Sequence, residues 1–200
     1  MTDQTPLTEQ PGSRIPPAGA IGNLTTRKTL ALLGAFCLFL STIEYMIPKP
    51  LPFMRVGIAN LPLMLALDIF PFPAFLVLVG IKVLGQALIT GTLFSYIFLF
   101  SLAGTALSAV SMYLLRRVLG QSRISFIGVG TAGAMMSNIS QLVLAWVFIF
   151  RDSVLYIAPP FLAAGVITGI VLGLFCEYFT RSSQWYAQRR RPLHKPEGAL

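Results

Sequence analysis

Few side chains in this sequence are equipped for chemistry, and those that are lie embedded among apolar residues. Lys82 and Gln86 stand four apart, and Asn138 and Gln141 three apart, so each pair shares one face if its segment is helical. Asn60 opens an apolar stretch, Arg55 sits just before it, and Glu44 and Asp68 fall near the ends of apolar stretches. Two cations with several amides suit binding of a small polar or acidic molecule: Arg55 and Lys82 would neutralise an acidic group, while the amides read ring or hydroxyl polarity. Each residue also has a plainer role. The amides can bridge helices, and Lys82 can pair with an acid or snorkel to an interface. Burying an ammonium for packing alone is costly, which weighs Lys82 towards function.

Bond-making chemistry is poorly supported. There is no GxxxxGK[ST] run to cradle ATP phosphates. The single histidine, His194, lies in a basic tail, where it can join neither a buried triad nor a metal site. No two acids stand within five positions of each other, so no paired-carboxylate magnesium site is written locally. Cys37 and Cys176 lie inside apolar segments without CxxC or Cys/His neighbours, and read as small hydrophobes. No catalytic residue, metal site or cofactor is expected.

The elements that carry these residues are membrane spans. The 200 residues are 55% hydrophobic and 11% charged, with a mean hydropathy of +0.74. A soluble domain carries about 25% charged residues, and one this size could not hide so much apolar surface. Candidate spans are 29–47, 57–70, 72–89, 92–115, 124–150 and 159–180, giving an all-α integral membrane bundle of about six transmembrane helices. The second is short against the roughly 20 residues a span needs. With Pro62 inside it and Pro52, Pro71 and Pro73 around it, it should be kinked or partly buried by its neighbours. Residues 1–28, with Pro11, Pro16 and Pro17, read as a disordered tail, 29–180 as the transmembrane domain, and 181–200 as a basic tail. The proline-rich stretch 48–55 reads as a stiff loop, suited either to covering a site or to plain connection.

The net charge of +8 is placed to orient the chain and touch anionic lipid, not to bind nucleic acid. With both termini cytoplasmic, Arg14, Arg27, Lys28, Arg116, Arg117, Arg123, Arg181, Arg189, Arg190, Arg191 and Lys195 fall inside. Only Lys49, Arg55 and Arg151 fall outside. That bias predicts an inner-membrane protein with an even number of crossings. Small residues should mediate helix contact: Gly165, Gly169 and Gly173 in the last span, Gly104 and Ser108 in the fourth, Gly130 and Ala134 in the fifth. Ala31 and Ala35 form a further small-xxx-small pair in the first span, beside Gly34.

The run Arg55-Val-Gly-Ile-Ala-Asn60-Leu-Pro-Leu-Met-Leu-Ala-Leu67 resembles a signature of the Gx transporter family, also labelled heptaprenyl diphosphate synthase component I. Gly91-Thr92, Ser101-Leu-Ala-Gly104, Gly133-Ala-Met-Met-Ser-Asn138-Ile-Ser-Gln141 and Gly165-Val-Ile-Thr-Gly169 extend the match from about residue 30 to 180. The chain departs from the family pattern at Ser137, where histidine is usual, which bears on ligand choice or pH dependence. The family is similar to the substrate-binding S components of ECF vitamin transporters. That resemblance implies an S-component-like bundle whose pocket opens outward under the first loop. It also implies docking of an energising transmembrane subunit through Ala31 and Ala35, with separate ATPases. Ligand contacts are then expected at Arg55, Asn60, Lys82, Gln86, Asn138 and Gln141, for a vitamin- or cofactor-like molecule such as a phosphorylated flavin. Two other readings stay open: a noncatalytic accessory in isoprenoid, quinone or flavin-linked redox metabolism, and an assembly subunit without ligand. Seven acids, three of them in the tails (Asp3, Glu9 and Glu197), cannot run prenyl chain elongation alone.

Overall fold

The computed structural model describes residues 18–47, 57–120 and 123–190, and within them every regular element is helical. The long helices are α1 (Ala18–Met46), α3 (Phe72–Ile89), α4 (Tyr96–Leu119), α5 (Phe126–Ala145) and α6 (Val154–Ser182). Two short ones are α2 (Leu61–Ala66) and α7 (Gln184–Arg189). All five long helices are apolar enough to cross a membrane, with only 28–39% of their most apolar windows buried. The remainder faces outward, and the residues there are Leu, Ile, Val and Phe rather than charges. An exterior of that composition is at ease only in lipid, so the chain is a multi-pass membrane protein.

Five of the about six expected spans are long helices, and the second, expected to be short, is the exception. The second expected span is a 3₁₀ turn, Ile58–Asn60, followed by the single six-residue helix α2. Pro62 starts that helix and Pro71 and Pro73 stop its continuation into α3, while every residue from Leu61 to Phe70 is buried. A helix buried on all sides has no need to match the bilayer thickness, because its neighbours cover its ends. The segment nevertheless runs from one end of the bundle to the other. Gly57 and Ala59 bond to Glu44 at the far end of α1, whereas Asp68 bonds to Arg116 at the end of α4. It lies between two helices that run the same way, since Gly34 of α1 faces Ile81 of α3 and, one turn on, Leu38 faces Gly85. The first and last described helices therefore begin and finish at the same end, where Arg189 bonds to Thr29 at 3.2 Å.

Other boundaries moved less. The first helix starts at Ala18, so residues 18–28 continue α1 instead of forming a tail; residues 1–17 lie outside the described set. The last span starts at Val154, with Pro159 and Pro160 inside its second turn; the carbonyls they leave unbonded belong to Leu155 and Tyr156, both exposed. The basic tail begins as structure too, since α7 folds back under the bundle.

Packing follows the small residues. Gly169 of α6 lies so close to α5 that a Cβ there would meet Thr131 Cα at 2.6 Å and Gly130 O at 2.9 Å. At Gly173 a Cβ would stand 2.8 Å from both Ile127 N and Phe126 O. Gly104 does the same for α4 against α5, where a Cβ would come within 2.9 Å of Gln141 Nε2 and Ser137 Oγ. Ala31 and Ala35 differ: both are exposed on the outer face of α1, while Gly34 beside them faces inward.

A buried ion pair locks helix ends together at one end of the bundle. Asp68 takes two bonds from the Arg116 guanidinium, from Nε at 2.9 Å and from a terminal nitrogen at 2.8 Å. Arg116 also donates to Ile124 O at 2.6 Å and lies over the Phe126 ring. The Tyr186 hydroxyl of α7 donates to the same Asp68 carboxylate at 3.0 Å. Burial first, then the neighbouring Asp68 carboxylate, raises the Tyr186 phenol well above its ordinary value, so it stays a donor.

Candidate functional site

One cavity near the middle of the bundle gathers polar side chains from six elements. Glu44 comes from α1, Asn60 from the 3₁₀ turn, Lys82 from α3, Thr105 from α4, Ser137 and Asn138 from α5, and Thr168 from α6. Met64, Met112 and Leu172 complete the wall, and Gly130 and Gly165 let α5 and α6 meet behind it. Gly165 matters for shape, because a Cβ there would collide with the Asn138 amide.

The charged and amide groups are held in place. Glu44, 2% exposed, accepts from Gly57 N at 3.0 Å and Ala59 N at 3.2 Å, fixing the turn to the end of α1. Lys82, 3% exposed, donates from Nζ to Asn60 Oδ1. Asn138 donates to Phe161 O at 2.8 Å across the α5–α6 seam. Gln141 donates to Ser137 Oγ at 2.9 Å one turn back on α5, while its own Oε1 has no partner among the described residues. A buried cation and a buried anion in an apolar bundle are expensive to maintain for packing alone.

Of the expected contacts, Asn60, Lys82 and Asn138 meet at this cavity. Gln86 is buried one turn beyond Lys82 and outside the wall, where its carbonyl accepts from Thr90. Gln141 stands behind Ser137 rather than at the surface of the cavity. Arg55 and the loop of residues 48–56 lie outside the described residues. Asn138 bridges two helices, as the packing alternative expected, and it also lines the cavity. Glu44 was noticed only as an acid near a span end, and Thr105 and Thr168 carried no sequence signal at all. Ser137 is itself a wall residue.

The cavity measures about 30 Å³, room for about two waters. Pockets for small molecules run to about 300 Å³ or more, so the cavity as it stands has no room for one.

These features define a class: an all-α, multi-pass membrane protein that encloses a small polar cavity within its bundle. The chain belongs to the family described as heptaprenyl diphosphate synthase component I, whose model matches residues 33–179. No curated protein and no solved structure matches it.

Proposed function

We propose that this chain is the substrate-binding subunit of an uptake system in the cytoplasmic membrane, similar to an ECF S component, and not itself an enzyme. The observation that carries the reading is the buried polar cavity, in which Lys82, Asn60, Asn138 and Ser137 converge inside an otherwise apolar bundle. Lys82 neutralises an acidic group of a small vitamin- or cofactor-like molecule, with flavin-like phosphates among the fitting chemistries, and the amide and hydroxyl groups read its polar edge. Arg27, Lys28, Arg116, Arg117, Arg123, Arg181, Arg189 and Arg190 gather at the end of the bundle that carries the buried ion pair, opposite Arg151. The positive-inside rule makes that end cytoplasmic, so Glu44 and the turn at Gly57 face outward.

Energy comes from separate subunits, a transmembrane partner and ATPases. The exposed faces of Ala31 and Ala35 support docking on α1, and Ala35 borders an apolar groove of about 540 Å³ with Leu32, Phe36 and Phe39. Replacing both alanines, Ala31→Leu with Ala35→Leu, should abolish co-purification of those subunits and uptake while leaving the bound small molecule in place. Full uptake by the double variant contradicts docking at this face.

The family description favours a second reading, a noncatalytic accessory in prenyl diphosphate or quinone metabolism. Glu44 is engaged by backbone amides and Asp68 by Arg116 and Tyr186. Among the described residues no three His, Cys, Asp or Glu side chains come together. Magnesium-diphosphate chemistry would then have to be supplied by a partner.

A further inference from the structure

Asn60 was expected to touch the ligand, yet its side-chain oxygen is already committed to Lys82. It ends a turn that is a single rigid piece: Asn60 N donates to Gly57 O at 2.8 Å, and Gly57 adopts a φ of 87°, in the left-handed region that glycine enters freely. Two ties hold that piece over the cavity. Glu44 holds its backbone, through Gly57 N and Ala59 N, and Lys82 holds its tip, through Asn60 Oδ1. The second tie joins an ammonium to a neutral amide oxygen. An anionic oxygen is a stronger partner for an ammonium than an amide oxygen is.

We propose that Asn60 is an internal stand-in for the ligand: its side-chain oxygen occupies the place on Lys82 that a carboxylate or phosphate oxygen of the ligand takes. The inference rests on the cavity being a capture site. When the ligand's anionic oxygen takes over Lys82 Nζ, the Asn60 side chain is released, while Glu44 still holds the turn's backbone at Gly57 N and Ala59 N. The cavity of about 30 Å³ then widens around its guest. Asn60 is thus a positioning residue that sets a threshold for entry, and molecules without an anionic or strongly accepting oxygen do not cross it.

The test needs no knowledge of the ligand. In a background with Cys37→Ala and Cys176→Ala, a Ser137→Cys reporter on the cavity wall is labelled by the cationic trimethylammonium-ethyl methanethiosulfonate, applied to intact membranes. Asn60→Ala and Asn60→Ser, which cannot reach Lys82, should speed labelling about tenfold, in keeping with loss of a charge-assisted hydrogen bond. Asn60→Asp should slow it below the reporter parent, because an ion pair fastens the turn more tightly. Simple electrostatics predicts the opposite for that variant, since an added carboxylate attracts a cationic reagent. Equal rates in all variants, no labelling in any, or faster labelling in all three would overturn the proposal. Ligand retention is measured separately, so a failed latch and a failed capture site are distinguishable.

Discussion

Asp68→Ala should destabilise the bundle by about 3–5 kcal/mol, because it strands a buried guanidinium without its carboxylate. Arg116 would keep only its bond to Ile124 O, and Tyr186 would lose its acceptor, so α7 should detach as well. Denaturant unfolding in detergent micelles, followed by Trp185 fluorescence, reads both effects. Removing the pair together, Asp68→Leu with Arg116→Met, leaves no unpaired charge and should cost much less than the sum of the single changes. An Asp68→Ala protein that unfolds at the parental midpoint contradicts the assignment of this pair as a lock between helix ends.

Glycine substitutions give the second large effect, and their ranking is the informative part. Gly169→Ala places a methyl 2.6 Å from Thr131 Cα, which is backbone and cannot step aside. The α5–α6 seam has to open, at a cost of about 3 kcal/mol, the upper end of ordinary overpacking. Gly85→Ala meets Leu38 Cδ2 at 2.5 Å, the far end of a flexible side chain that can change rotamer. Its expected cost is about 1 kcal/mol or less. Thermal unfolding of the two variants side by side should separate them clearly. Equal losses contradict the close approach of α5 and α6 through glycine.

The sequence made the fold class legible because a membrane imposes few solutions: apolar length and the placement of Lys and Arg carry most of the information. The same-face glycines of α6 were readable for a related reason, since close helix approach needs small residues at a spacing of four. Helix length for residues 57–70 was not readable. Hydropathy cannot tell a lipid-facing span from a short helix buried on every side, although Pro62 within that stretch and three prolines around it pointed to the second. The Asp68–Arg116 pair was hidden because a cation near a span end has the same local pattern whether it orients the chain or locks it, and its partner lies 48 residues away. At the site, Lys82, Asn60 and Asn138 were found because polar groups inside apolar runs are rare. Gln86 and Gln141 were equally conspicuous in sequence, but position along the helix axis decides which residues of one face meet the cavity. A one-turn displacement puts them behind it.

The central claim is capture of a small molecule, and it is tested most directly by mass spectrometry of metabolites released from gently purified, detergent-solubilised protein. A variant carrying Lys82→Ala and Asn138→Ala serves as the control. The account predicts one metabolite with an anionic group, retained stoichiometrically by the parent and lost from the variant. A prenyl or quinone compound retained equally by both proteins would contradict it and move the chain to the accessory reading.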